Sequence, residues 1–179
     1  MTREQLQKAV GLGQVRNANR VLSRLCHYLH SYRDGYQTIY YLNAEGRDYV
    51  GCDKVRTRGV HVPHILLRND VWLHFKMPKI WKNEVRVKSN NGGTLIITDA
   101  MFQVNGLWYF LEVDRKQTMK ENINKIKRYA DVWEQLYRQF LYYPTVVWVT
   151  ESKLRREKLD ELCREHHIKA KVYLREEIL

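Results

Sequence analysis

The dipeptide Asn105-Gly106 restricts the fold of this chain more than any other feature. An Asn-Gly pair favours the two-residue hairpin turn whose twist matches that of its strands. The runs on either side, 94–104 and 107–114, are rich in β-prone residues. The loop sets the register. Val104 faces Leu107, and stepping back along both strands puts Asp99 directly opposite Glu112. A second turn signal, Ser89-Asn90-Asn91-Gly92-Gly93, precedes this pair. Whether it closes through Asn91-Gly92 or through residues 90–93, it sets Glu84 opposite Asp99. The spacing therefore predicts a meander over 80–88, 94–104 and 107–114. Glu84, Asp99 and Glu112 form one row on one face, and Asp114 shares that face two residues on.

Directly opposed like charges destabilise a sheet by roughly 0.2–1 kcal/mol per pair. A row of three calls for a divalent cation or a shifted pKa. Carboxylate oxygens suit Mg²⁺ or Mn²⁺, so Glu84, Asp99, Glu112 and Asp114 are the expected metal ligands. The bland alternative is an exposed face whose acids are balanced by Arg86, Lys88, Arg115 and Lys116. An apolar helix over 64–75 leads into the meander. After it, Thr118 caps a long helix with the stripe Met119, Ile123, Ile126, Ala130, Trp133, Tyr137 and Phe140. Residues 145–150 read as a buried strand. Ser152 caps a charged helix to about residue 165, and 168–174 is a last strand near the border of the sheet.

The first part of the chain differs in charge. Residues 1–33 hold six Lys or Arg and one acid, and the whole chain holds 31 basic against 20 acidic residues, net +11. A surplus of this size points to a polyanion, most simply nucleic acid. Thr2 and Gln5 form an N-cap pattern, and Leu6, Ala9 and Val10 give an apolar face up to Gly11. A second helix is predicted over 14–29, with the stripe Val15, Ala18, Leu22, Leu25 and Leu29. Its other face carries Arg16, Asn17, Asn19, Arg20, Ser23, Arg24 and His27, side chains that bond to base edges and phosphates. Asp34-Gly35 then marks a hairpin at 32–36, with Arg33 beside it. Helix, turn, polar-faced helix and hairpin is the order of a winged helix-turn-helix. The exposed face of the first helix calls for cover by a later segment or a second subunit, which makes a homodimer one expected partnership.

Arg56, Arg58, Gly59 and Pro63 break the periodic pattern, so the boundary is placed between domains 1–58 and 59–179. Cys26, Cys52 and Cys163 stand far apart, without the paired spacing of a zinc site or a disulfide framework. No apolar run approaches the ~20 residues of a membrane span, and the first residues lack a signal core. The expectation is a cytoplasmic protein with no membrane partner. Gly-rich phosphate loops, GxSxG and HExxH are missing. The pair His166-His167 reads as a helix end.

The order helix, three-strand meander with acids, helix, strand resembles the PD-(D/E)XK nuclease core, through Thr98-Asp99 and Glu112-Val113-Asp114. The chain as a whole resembles the replication-relaxation family of plasmid and mobile-element proteins. That resemblance rests on the winged-helix start, on His64-Ile65-Leu66-Leu67-Arg68-Asn69-Asp70-Val71, and on Glu112-Val113-Asp114-Arg115-x-x-Thr118 before a Lys-rich helix. It implies an α+β chain: an N-terminal winged helix-turn-helix followed by a PD-(D/E)XK-like αβββαβ mixed-sheet domain. It also implies a DNA-binding protein of a plasmid, phage or other mobile element, acting in replication or DNA processing.

In the nuclease core Asp99 and Glu112 would hold the metal, and a lysine would stand two residues after Glu112. Here that position is Asp114. Lys116, two further on, is the candidate to replace it, and Asp70 is a candidate accessory acid. Two readings follow, both with double-stranded DNA as partner. One is a Mg²⁺- or Mn²⁺-dependent nuclease or nickase, with Asp99, Glu112 and Lys116 catalytic. The other is a non-catalytic transcriptional regulator or replication accessory factor with a degenerate nuclease fold.

Overall fold

The computed structural model describes residues 1–89 and 91–179. Asn90, part of the expected turn before the second strand of the meander, lies outside the described residues. The chain divides into two compact units, Met1–Leu73 and His74–Leu179.

The first unit begins with α1 (Arg3–Val10) and α2 (Val15–Arg24). Thr2 and Gln5 close the expected capping box on α1, and Gly11 ends it in the left-handed conformation. Helix α2 stops at Arg24, short of the end that the stripe predicts. The Leu25 N–H is shared between the carbonyls of Val21 and Leu22, and Cys26 and Tyr28 bond three residues back. The last turn thus tightens and stops. Leu25 is exposed, and Leu29 opens a strand. That strand, β1 (Leu29–Asp34), pairs with β2 (Gln37–Leu42) across a two-residue Gly35-Tyr36 loop. Thr2 adds an antiparallel bridge to Ile39.

A helix that no periodicity predicts, α3 (Ala44–Tyr49), follows the hairpin. Asn43 builds it. Its Oδ1 accepts from the Gly46 N–H at 2.8 Å, and its Nδ2 donates to the His27 carbonyl at 2.6 Å. Gly46 is required there, because a Cβ would lie 2.1 Å from the Tyr28 carbonyl oxygen. The unit continues into α4 (Val62–His74), tied to α1 by the Gln5 amide, which donates to the Leu66 carbonyl at 2.8 Å and to Asp70 Oδ1. These bonds place residues 59–73 with the first compact unit, later than the expected boundary at 58.

The second unit is a five-stranded mixed sheet in the order β3-β4-β5-β6-β7. Strands β3 (Trp81–Lys88), β4 (Thr94–Val104) and β5 (Leu107–Asp114) form the antiparallel meander. Strands β6 (Thr145–Thr150) and β7 (Ala170–Leu174) run parallel to β5. Val104 pairs with Leu107, as the Asn105-Gly106 loop requires, and both loop residues have positive φ. Helices α5 (Met119–Phe140) and α6 (Lys153–Glu165) bury Ile126, Tyr129, Trp133, Leu159 and Leu162 in one core with Phe110, Val146 and Trp148. The architecture is α+β, with a small antiparallel sheet in the first unit and a large mixed sheet in the second. No helix among the described residues is long and apolar enough to cross a membrane.

Gly46→Ala should cost about 1–3 kcal/mol, the range for forcing extra volume into a packed site. Urea unfolding checks this, and wild-type stability in the variant would contradict the close approach to Tyr28.

Candidate functional site

Two polar regions carry chemistry, one in each unit. In the second unit the predicted register holds, but the carboxylate row does not survive it. Trp81 pairs with Phe102 and Val85 with Thr98, with the expected offset on both sides of Glu84. Glu84 itself has φ 56° and is exposed. This residue switches the facing of the side chains along β3. Val85 and Val87 pack in the core beneath α5 and α6, whereas Trp81 stacks on Phe102 in a second aromatic cluster with Phe75 and Tyr109. Positions 81 and 85 would share a face on an undisturbed strand.

The same break crosses β4. Cα pairing with β5 reaches Ala100↔Leu111 and goes no further. Beyond it side chains replace the main chain. The Thr98 hydroxyl donates to the Leu111 carbonyl at 2.7 Å, and the Val113 N–H donates to Asp99 Oδ2 at 2.7 Å. Asp99 therefore lies beside β5 at the level of Glu112 but partly serves as a sheet acceptor.

Glu112 is fully buried. Its Oε2 pairs with Lys125 Nζ, and its Oε1 accepts from the Tyr129 hydroxyl at 2.7 Å. Burial pushes its pKa up to about 7, with Asp99 adding to the rise and Lys125 opposing it. Burial works against the Lys125 charge, but Glu112, Asp99 and Asp114 together hold its pKa above the usual value. Burial, then Glu112, drives the Tyr129 phenol well above its ordinary range. Asp114, also buried, receives both the Nε and Nη2 groups of Arg155 and the Asn122 amide at 2.7 Å. Arg155 Nη2 also donates to the Gln117 carbonyl at 2.8 Å, which ties the loop after β5 to α6.

The structure thus sorts the expected ligands. Asp99 and Glu112 sit in one electrostatic field. Asp114 is enclosed by Arg155 and Asn122, and Glu84 turns out to solvent. Among the described residues no group of three or more His, Cys, Asp or Glu is arranged to hold a metal ion. The four expected carboxylates do not converge on one point: Asp114 is turned to Arg155 and Asn122, and Glu84 is exposed. Lys116 is exposed in the loop before α5, and the lysine that reaches Glu112 is Lys125. Asp70 is buried on α4 within the first unit, where it accepts from Gln5.

Sequence reasoning missed Asn122, Lys125 and Tyr129. The buried stripe of α5 runs Asn122, Ile126, Tyr129, Trp133, Leu136, rotated from the apolar stripe read from the sequence. A polar set at 122, 125 and 129, one helical face, was the available signal.

In the first unit, α2 buries Ala18 and Leu22 and contains no acidic residue. Arg16, Asn19, Arg20, Ser23 and Arg24 are exposed along it. Asn17 holds the start of the helix in place. Its Nδ2 donates to the Leu12 carbonyl at 2.8 Å and its Oδ1 accepts from Arg20 at 2.8 Å. His27 falls in the turn after the helix, not on the helix face. Arg33 is exposed on β1, its Nε donating to the Gly35 carbonyl at 3.2 Å, and Tyr36 at the tip is 97% exposed. A polar cleft lined by Arg3, Glu4, Asn19, Arg33, Tyr36 and Gln37 lies between the helices and the hairpin.

Residues 1–142 match the replication-relaxation family, which covers the whole first unit and the second as far as the end of α5, so the chain belongs to that family. No curated protein and no solved structure matches the chain. Membership suggests a role in replication or in the processing of mobile-element DNA.

Because its pKa rises on folding, Glu112 binds its proton more tightly in the native state. It contributes stability that is fully present below about 4.5 and is lost as pH rises through about 7. Wild-type protein should therefore lose stability relative to Glu112→Gln between about pH 5 and about pH 8 in urea unfolding. A difference that stays constant with pH would contradict the raised pKa.

Proposed function

We propose that the chain binds duplex DNA through α2 and the β1–β2 hairpin, as a non-catalytic accessory factor in replication or mobile-element DNA processing. The observation that carries this reading is α2 itself. It presents Arg16, Asn19, Arg20, Ser23 and Arg24 on the faces left open by Ala18 and Leu22, with no acid on the helix to neutralise them. Arginine and asparagine forks match guanine and adenine edges in the major groove, and the same groups bind phosphates. The order α1, α2, hairpin supports a winged helix-turn-helix, with Arg33 and Tyr36 on the wing. Asn17 donates to Leu12 and accepts from Arg20, so it positions Arg20, whose guanidinium keeps further donors for the groove; His27 lies beyond the helix.

The second unit supports a nuclease-like scaffold in which protein cations stand where catalysis would need accessible acids. Glu112 has both oxygens engaged, and Asp114 meets Arg155 at the position where a catalytic lysine would be expected. The presence of Lys125 beside Asp99 and Glu112 is the one observation that favours hydrolysis. In this structure Lys125 is committed to Glu112 as an internal ion pair.

Fluorescence anisotropy with duplex DNA in EDTA tests the reading. Binding should persist in the chelator. Arg20→Ala and Arg24→Ala should each weaken it by about 1–3 kcal/mol, the worth of a good bidentate base contact. Unchanged affinity in both variants would overturn the assignment of α2.

A further inference from the structure

The two long helices of the second unit are both rich in basic residues, yet they use them differently. Four of the five basic residues on α6 are paired with acids: Arg155 with Asp114, Arg156 with Glu177, Lys158 with Glu161 and Arg164 with Asp160. On α5 only Lys125 has such a partner among the described residues, Glu112. Lys120, Lys127 and Arg128 are exposed and make no ion pair among the described residues, and neither does Lys116 just before the helix. The nearby acid Glu121 is held by Thr118 at the N-cap, and Glu134 accepts from the Tyr143 hydroxyl at 2.6 Å.

Positions 120, 124, 127 and 128 follow the i, i+4, i+7, i+8 spacing of a single helix face. The stripe is Lys120, Asn124, Lys127, Arg128, about 12 Å long at the helical rise. Asp131 closes it one turn further on. No ion pair among the described residues takes up the charge of Lys120, Lys127 or Arg128, so it is left for an outside anion.

We infer that this face of α5 is a second nucleic-acid surface, one that grips backbone phosphates without reading sequence. It goes beyond the α2 reading and stands on a different unit of the chain. Lysine and arginine at this spacing can meet two or three phosphates along a strand, and Asn124 adds a neutral donor. A protein interface would need a buried aromatic or aliphatic anchor, and a membrane surface an apolar face beside the charges. None of the exposed large hydrophobic residues lies between Leu107 and Tyr137.

The test is the salt dependence of duplex binding by the full chain, followed by anisotropy from about 50 to about 200 mM salt. The slope of log affinity against log salt falls by about 0.9 for each phosphate contact removed. Lys120→Gln/Lys127→Gln/Arg128→Gln should make the slope shallower by about 2–3 and weaken all duplex sequences alike. Lys158→Gln/Arg164→Gln, which removes charges from the paired helix instead, should leave the slope unchanged. Thermal unfolding confirms that both variants fold. An unchanged slope in the folded α5 variant overturns the inference, whatever Arg20→Ala and Arg24→Ala do. A shallower slope in both the α5 and α6 variants also overturns it, since net charge alone would then explain the effect. Binding that survives the α2 substitutions but fails in the α5 variant supports this surface and removes the α2 reading. Loss of binding to anionic vesicles but not to DNA in the α5 variant assigns the stripe to a lipid surface and rejects nucleic acid.

Discussion

Strand β5 carries two carboxylates into the interior of a sheet, and each must meet a positive charge there. An isolated buried carboxylate would cost several kcal/mol, and removing one partner of a buried pair typically costs about 3–5 kcal/mol. Glu112 meets Lys125 of α5 and Asp114 meets Arg155 of α6. The two helices that cover this face of the sheet are therefore each fixed to the same strand by one ion pair, two residues apart. Asn122 and Tyr129 complete the arrangement with neutral hydrogen bonds. Apolar packing around Phe110, Trp133 and Trp148 supplies the bulk of the core but no direction. The ion pairs supply the helix rotation.

This internal pairing also decides which charges remain for a partner. Lys125, Arg155, Arg156, Lys158 and Arg164 are matched within the second unit. The exposed arginines of α2 and the exposed cations of α5 are not matched in this way, and they carry much of the visible surplus of the net +11. A nucleic-acid reading thus follows from where the cations lack acids, more than from the total charge. The same internal pairing gives Glu112 and Asp114 a role in the fold whether or not an ion binds.

The meander was legible because its information is local. Asn105-Gly106 admits one turn geometry, and that turn fixes the register of β4 on β5. The fate of Glu84, Asp99 and Glu112 was not local. A positive φ at Glu84 and the side-chain bonds of Thr98 and Asp99 replace the regular ladder at the level where the three acids would have lined up. Alternation along a strand assumes no such break. The end of α2 was missed because Leu25 and Leu29 continue an apolar spacing that the chain uses for a turn and a strand. Helix α3 is only six residues long and depends on Asn43 and on a contact with Tyr28 that no periodicity encodes. On α5 the apolar positions drew attention away from Asn122, Lys125 and Tyr129, whose burial depends on acids of another element.

The most direct test of the claim that protein cations, not a metal, neutralise these acids is titration of the full chain with Mn²⁺ while amide resonances and thermal stability are followed. The account predicts no saturable stabilisation and no selective paramagnetic broadening at Asp99, Glu112 and Val113. Saturable broadening centred on those residues, abolished by Asp99→Asn or Glu112→Gln, would contradict it and return the second unit to the metal-dependent nucleases.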